Sequence, residues 1–212
     1  MKIREALKKY WDLRKRDDWK SMLFWFPVII IAIKFIIFPL LSLITGTPLP
    51  IVIVESCSMY HGSSFNEWWG INSDLYALHN ISKEQFTSFS QTNGLNKGDI
   101  IFIWGKSSYH LGDIIVFNAN AGSTQSYPII HRIVRENPIG TKGDNNNLQL
   151  VATDDFSNNL GRVDETNIAR ERIQGKAVFR IPYLGWVKLF FFDFFKSAGE
   201  RGFCHETTQP KL

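Results

Sequence analysis

The sequence predicts a small, mainly β domain, an antiparallel sheet or barrel-like fold, that follows one N-terminal transmembrane helix and precedes a short C-terminal amphipathic helix. Three observations predict this arrangement: a long apolar run near the N-terminus, several short β-branched runs separated by turn residues, and an apolar stretch with helical spacing near the C-terminus. Because 44% of the 212 residues are hydrophobic and 21% are charged, the composition is that of a folded chain. The predicted parts are residues 1–20, 21–46, 47–182 and 183–212.

The apolar run at residues 22–44 contains a single charged residue, Lys34. A helix of this length extends roughly 30–35 Å, enough to cross the hydrocarbon core of a bilayer. A removable signal peptide has a shorter apolar region, so we expect an uncleaved anchor rather than a leader or a buried helix. Lys34 would face a partner subunit or extend toward the headgroups.

Basic residues indicate how the anchor is oriented. Residues 1–20 hold eight Lys and Arg against four acidic residues, and after the apolar run no Lys or Arg occurs before Lys83. Basic flanks stay in the cytoplasm, so we expect the chain from about residue 46 onward to be extracytoplasmic. The net charge of +4 is too small to indicate nucleic-acid binding.

The β domain is predicted from short apolar runs that follow Gly-Asp turns or polar segments. A turn is expected at residues 140–146, and residues 61–96 read as an inserted loop with some helix near 82–90. An insertion of this length is functional or docked to something. The predicted strands are residues 51–54, 97–103, 111–117, 128–134 and 175–181.

Residues 183–195 are apolar, interrupted by Lys188 and Asp193, and their Val and Phe residues have helical spacing. Thirteen residues are too few to span a bilayer. An amphipathic helix could lie at a lipid surface with Trp186 near the headgroups, or it could pack on the β core, and the sequence leaves both open.

The chain has two cysteines, Cys57 and Cys204, which cannot form a disulfide framework and lack the spacing of a metal site. Nothing in the sequence places them together, so we do not expect a bridge. Cys57 adjoins Ser58, where we expect a small packing residue rather than a nucleophile.

Three residue types needed for acyl transfer occur in order along the chain. Ser58 follows the first predicted strand, His131 interrupts an apolar strand, and the carboxylates Asp144, Asp154 and Asp155 follow within 24 residues. A serine hydroxyl needs a base to remove its proton, and the base needs an acceptor that fixes its tautomer.

In this order the residues resemble the signal peptidase I family, in its archaeal and endoplasmic-reticulum branch. The resemblance covers about residues 40–195, interrupted by the insertion at 61–96. It rests on the anchor leading into Ser58-Met59, the two Gly-Asp strands, the His131-Arg132 pair and the Lys-Gly-Asp-Asn-Asn turn that contains Asp144.

The resemblance implies a peptidase fold and a role for each site residue. Ser58 would be the nucleophile and His131 the general base, at the position where the bacterial branch has a lysine. Asp155 is the favoured acceptor behind the histidine, with Asp144 second or shaping the site. The backbone N–H of Ser58 and the hydroxyl of Ser56 would form the oxyanion hole.

The chain departs from the family at the third position after the nucleophile. The family has Ser-Met-x-Pro, and this chain has His61 in place of the proline, where the insertion begins. His61 lies in a predicted loop and is a weaker candidate for the base than His131.

The sequence therefore predicts a membrane-anchored serine endopeptidase that cleaves signal peptides from secreted preproteins, without a metal or cofactor. Expected partners are preprotein signal peptides, the lipid bilayer and membrane partner subunits, and no nucleic acid. The alternative is a catalytically inactive membrane-anchored β module that binds or scaffolds a partner. A self-cleaving hydrolase of the repressor type would need a lysine base and a DNA-binding domain, where this chain has an anchor.

Overall fold

The computed structural model describes residues 2–13, 19–120, 123, 127–151, 163–196 and 201–205. The chain divides into two compact units, Met1–Thr45 and Gly46–Leu212. Each unit has its own secondary structure.

The first unit is helical. Within it, Ser21–Thr45 is long and apolar enough to cross a membrane. Its π-helical turn ends two residues before Pro39, which has no N–H to donate to the carbonyl four residues earlier. The unit consists of α1 (Lys2–Leu13), α2 (Trp19–Ala32), a π-helical turn (Ile33–Ile37) and α3 (Phe38–Thr45).

The second unit is built on one six-stranded sheet, in which every neighbouring pair is antiparallel. The strand order is β1-β2-β6-β3-β4-β5, so β1 and β5 form the two edges. The predicted mainly β architecture is confirmed. The strands are β1 (Ile51–Ile53), β2 (Ile100–Trp104), β3 (Ile114–Phe117), β4 (Ile129–Arg135), β5 (Gly140–Lys142) and β6 (Ile173–Ile181).

Apolar side chains cover both faces of the sheet, because successive residues of a strand point to opposite faces. On β3, Ile114 and Val116 pack with Ile101 and Ile103 of β2, whereas Ile115 and Phe117 belong to a second cluster on the other face. Strands buried on both faces explain why the sequence shows continuous apolar runs there rather than strict alternation.

Residues 61–96, hereafter the insertion, contain two helices, α4 (Phe65–Ala77) and α5 (Lys83–Thr87). The prediction of a loop was wrong for its first half. A capping box starts α4: Ser64 Oγ accepts from Glu67 N–H, and the Glu67 carboxylate accepts from Ser64 N–H. The helices bury an aromatic cluster that contains Trp68, Trp69, Tyr76 and Phe86.

Near the C-terminus, α6 (Trp186–Phe192) continues into a 3-10 turn, Asp193–Phe195. This segment packs on the domain through Leu189 and Asp193, whose carboxylate accepts from Lys97 Nζ at 2.7 Å. The predicted short helix is confirmed. Its remaining apolar side chains are between 56% and 87% exposed: Val187, Phe190, Phe191, Phe192, Phe194 and Phe195.

Cys57 and Cys204 form a disulfide, with their Cα atoms 5.6 Å apart. The expectation that these residues stay unbridged was wrong. The cysteines are 147 residues apart in sequence, and only the fold brings the C-terminal segment beside the loop that follows β1.

Candidate active site

Ser58 lies in a tight turn a few residues after β1. The carbonyl oxygen of Cys57 accepts from the Tyr60 N–H at 3.1 Å and from the Asn145 side-chain amide at 3.0 Å. Ser58 is half-buried, and its Oγ lies 3.1 Å from the Oγ of the exposed Ser56. The two predicted hydroxyls are therefore neighbours at the surface.

His131 lies on β4, opposite Ile115 of β3, and its side chain is buried. Its Nδ1 is in hydrogen-bond contact with Oε1 of Glu165. A carboxylate can only accept, so Nδ1 carries the proton and a neutral imidazole keeps Nε2 as an acceptor. This is the tautomer that a general base requires.

Glu165 is fully buried and held on several sides. Its carboxylate accepts from Thr141 Oγ1 at 3.0 Å and from the Leu150 N–H at 2.8 Å. Its backbone carbonyl accepts from the Thr141 N–H at 2.9 Å. Sequence reasoning missed Glu165, because it stands in a polar stretch without a motif and reaches His131 only through the pairing of β4 with β5.

Gly143 lies between the His131 ring and the backbone of Ser58. A Cβ atom added at Gly143 would lie 2.8 Å from Nε2 of His131 and 2.8 Å from the carbonyl oxygen of Ser58. Glycine is needed at this position, since any side chain would push these groups apart. Nε2, the acceptor of the imidazole, therefore faces the segment that carries Ser58.

Among the described residues, the Ser58 hydroxyl pairs with Ser56 rather than with His131. Hydrogen bonds between a nucleophile and its base are often loose before substrate binds. The Ser58 N–H donates to no described residue, which leaves it available to a ligand.

Asp144 is also fully buried, but its hydrogen bonds lead away from His131. Its carboxylate accepts from Arg132 Nη2 at 2.7 Å, from Tyr76 Oη at 2.8 Å and from His61 Nε2 at 2.9 Å. Burial alone would raise the pKa of Asp144, but the Arg132 charge and the hydrogen bonds from His61 and Arg132 hold that pKa well below its usual value. Asp144 is thus a permanent anion paired with Arg132.

The alternation of β4 separates these two carboxylates. His131 and Arg132 are adjacent residues of one strand and point to opposite faces of the sheet. Glu165 lies on the His131 side and Asp144 on the Arg132 side. Of the other predicted carboxylates, Asp154 and Asp155 lie outside the described residues.

The C-terminal segment, residues 186–205, contacts the turn that carries Ser58 on the side away from the loop at 143–145. Lys196 Nζ donates to the Glu55 carbonyl at 3.2 Å, and Lys188 Nζ lies 3.1 Å from the Glu55 carboxylate. The disulfide adds a covalent link at Cys57, directly before Ser58. The candidate nucleophile is therefore fixed between the loop at 143–145 and the C-terminal segment.

No family model matches the chain. The chain is similar to the signal peptidase complex catalytic subunit SEC11 of Pyricularia oryzae, with 28% identity over 170 residues, which cover 76% of this chain and 74% of the relative. The SEC11 subunit of Eremothecium gossypii is 33% identical over 111 residues, 48% of this chain and 60% of the relative. The SEC11 subunit of Candida tropicalis is 31% identical over 109 residues, which cover 48% of this chain and 60% of the relative. The chain is thus a homologue of these SEC11 catalytic subunits.

Proposed function

We propose that this protein is a membrane-anchored serine endopeptidase that removes signal peptides from preproteins, with Ser58 as nucleophile, His131 as base and Glu165 as the carboxylate that orients the base. One observation carries the assignment of residues: the His131 imidazole has a buried carboxylate at Nδ1 and faces the Ser58 segment with Nε2. The SEC11 relatives, which are catalytic subunits of a signal peptidase complex, support the activity.

The reaction is acyl transfer in two steps. His131 Nε2 takes the proton of Ser58 Oγ as the oxygen attacks the scissile carbonyl, and the imidazolium then protonates the leaving amine. Glu165 stabilises that imidazolium. The acyl-enzyme is hydrolysed by a water that His131 deprotonates.

Two donors are available for the oxyanion. The Ser58 N–H is at the attacking residue itself, and the Ser56 hydroxyl lies 3.1 Å from the attacking oxygen. A donor beside the nucleophile is also beside the carbonyl oxygen that becomes charged. These are the two groups predicted from the sequence.

The edge strand β1 offers a binding mode for the substrate. It pairs with β2 on one side only and leads directly to the Ser58 turn. An extended peptide can add to such an edge through main-chain hydrogen bonds. Preproteins are extended between the apolar part of the signal peptide and the mature sequence, and the family resemblance implies small residues at the first and third positions before the cut.

The disulfide supports the proposed orientation, with the N-terminus in the cytoplasm and the second unit outside it. Disulfides form and persist in oxidising compartments and are rare in the cytosol. The basic residues before Ser21–Thr45 favour the same orientation. For a relative of SEC11, we propose that the site lies on the lumenal side of the endoplasmic-reticulum membrane, together with membrane partner subunits.

Processing of a purified preprotein tests the function. The full-length protein in lipid-containing micelles is expected to cut a preprotein once, and N-terminal sequencing of the product gives the bond. A matched preprotein with tryptophan at the first position before the cut is expected to stay intact. Equal cutting of both substrates, or of neither, would contradict the proposal.

We further propose that the exposed aromatic face of α6 contacts lipid. A polarity-sensitive fluorophore attached at Phe191→Cys, in the full-length protein in vesicles, is expected to shift to the blue and to be quenched by nitroxide-labelled lipids. The control is the same probe at Ser108→Cys, in an exposed polar turn. Equal quenching at the two positions, or none at 191, would contradict lipid contact.

A further inference from the structure

The insertion covers the face of the sheet opposite the His131–Glu165 pair. Its aromatic cluster packs around Arg132, whose guanidinium lies 4.7 Å from the ring centre of Phe86. Arg132 also donates to the carbonyl oxygens of Ser90 and Gln91, at 2.8 and 3.0 Å. The insertion is therefore joined to the β domain at a buried charge.

Two polar side chains of the insertion reach through this cluster to Asp144. Tyr76 is fully buried, and burial together with the Asp144 charge raises its pKa well above the usual value, so its hydroxyl stays a donor. His61 is 7% exposed and stacks on Trp68, with ring centres 3.6 Å apart and planes 3° from parallel. Its Nε2 donates to Asp144, because a carboxylate at 2.9 Å can only accept.

Asp144 is part of the loop at 143–145, which contacts both Ser58 and His131. Its own N–H points to the sulfur of Met59 at 3.4 Å, and the N–H of Asn145 donates to the Ser58 carbonyl at 2.7 Å. Gly143, on the other side, fills the space between His131 Nε2 and the Ser58 backbone. A shift of the Asp144 carboxylate would therefore move Gly143 and Asn145, and so change the distance between Ser58 and His131.

We propose that His61 and Tyr76 are positioning residues for peptide-bond cleavage, which hold Asp144 and through it the loop at 143–145. The proposal rests on the proposed function and adds to it a task for the insertion. It also gives a role to the histidine at position 61, where the family that the chain resembles has proline. The imidazole links the start of the insertion to Asp144, on the face of the sheet opposite His131. His131 remains the proposed base, because its Nε2 faces the Ser58 segment, whereas His61 stacks on Trp68 and pairs with Asp144.

The test compares variants that remove one hydrogen bond each with variants that keep it. Tyr76→Phe removes only the hydroxyl, and His61→Leu removes the imidazole donor. His61→Gln puts an amide donor near the position of Nε2. Tyr109→Phe serves as a matched control, because Tyr109 is half-buried and packs against a different hydrophobic cluster, the one that contains Ile115 and Phe117 of β3.

Preprotein cleavage is measured in full-length protein, with kcat expressed per serine that reacts with a fluorophosphonate. A misplacement of about 1 Å can cost 10²-fold in rate. We therefore expect Tyr76→Phe and His61→Leu to lower kcat by roughly 10- to 100-fold with KM nearly unchanged. His61→Gln is expected to recover most of the loss, and Tyr109→Phe to match the wild type.

This normalisation separates positioning from folding. If the variants merely unfold, the number of reactive serines falls but kcat per reactive serine stays constant, and the proposal is overturned. It is overturned as well if His61→Gln is as slow as His61→Leu. If the wild type cuts no preprotein, the proposed function fails instead, whatever the variants do.

Discussion

Replacing Ser58 by alanine is expected to abolish preprotein cleavage, with a loss of kcat on the order of 10⁴- to 10⁶-fold. The substitution removes the proposed nucleophilic oxygen, while the Cys57 and Ser58 carbonyls can still accept from Asn145. The assay is the appearance of mature protein over time, with the same enzyme concentration for both forms. Binding of the preprotein should persist, since the edge of β1 is unchanged.

Ser108→Ala is the matched control, an exposed serine whose hydroxyl contacts only the His110 ring among described residues. It is expected to cleave as the wild type does. Comparable rates for Ser58→Ala and the wild type would instead favour the inactive β module that binds or scaffolds a partner, because such a module has no use for a nucleophile.

Replacing Glu165 by glutamine is expected to lower kcat by about 10³- to 10⁴-fold. The amide is similar in size and can still occupy the buried site, but its NH₂ group would donate to Nδ1 of His131. The proton of the imidazole would then move to Nε2, the atom that faces the Ser58 segment, and the base would be blocked. The lost charge also removes the stabilisation of the imidazolium.

The kcat of Glu165→Gln is compared with that of Asp164→Asn. Asp164 is the adjacent carboxylate, and its hydrogen bonds go to the backbone and hydroxyl of Thr166, so its amide variant should be nearly as fast as the wild type. Asp155→Asn belongs in the same series, because Asp155 was the acceptor favoured from the sequence. A large loss in Asp155→Asn with none in Glu165→Gln would move the role to Asp155.

Much of the fold could be predicted because its signals are local. The Gly-Asp turns and the β-branched runs mark β2, β3, β4 and β6 to within a few residues. The helix α4 was missed although its capping box, Ser64 to Glu67, is visible in the sequence. The polar residues of its exposed face outweighed that signal, and the buried stripe of Trp68, Trp69 and Tyr76 contains too few residues to reveal a helical period.

Residues of the candidate site could be predicted from the sequence only where the chain offered one clear candidate for a role. Ser58 and His131 were identified through the family resemblance, because the Ser58-Met59 and His131-Arg132 pairs occur in the order that the family shows. The carboxylate does not stand out, because Asp144, Asp155 and Glu165 all follow β4 within a short stretch of chain. The carboxylate that contacts the His131 imidazole must approach the face of β4 on which that imidazole lies. The pairing of Ile133 with Thr141, which fixes β5 beside β4, determines which carboxylate does so.

The bridge between Cys57 and Cys204 closes most of the second unit into a covalent ring, with 147 residues of separation between its two ends. One backbone break anywhere inside this ring linearises it without releasing a fragment. The distal piece remains covalently attached at Cys57, which is 12 residues after the end of the apolar helix at Thr45. A clipped molecule thus loses no mass and stays attached to the bilayer until a reductant opens the sulfur link.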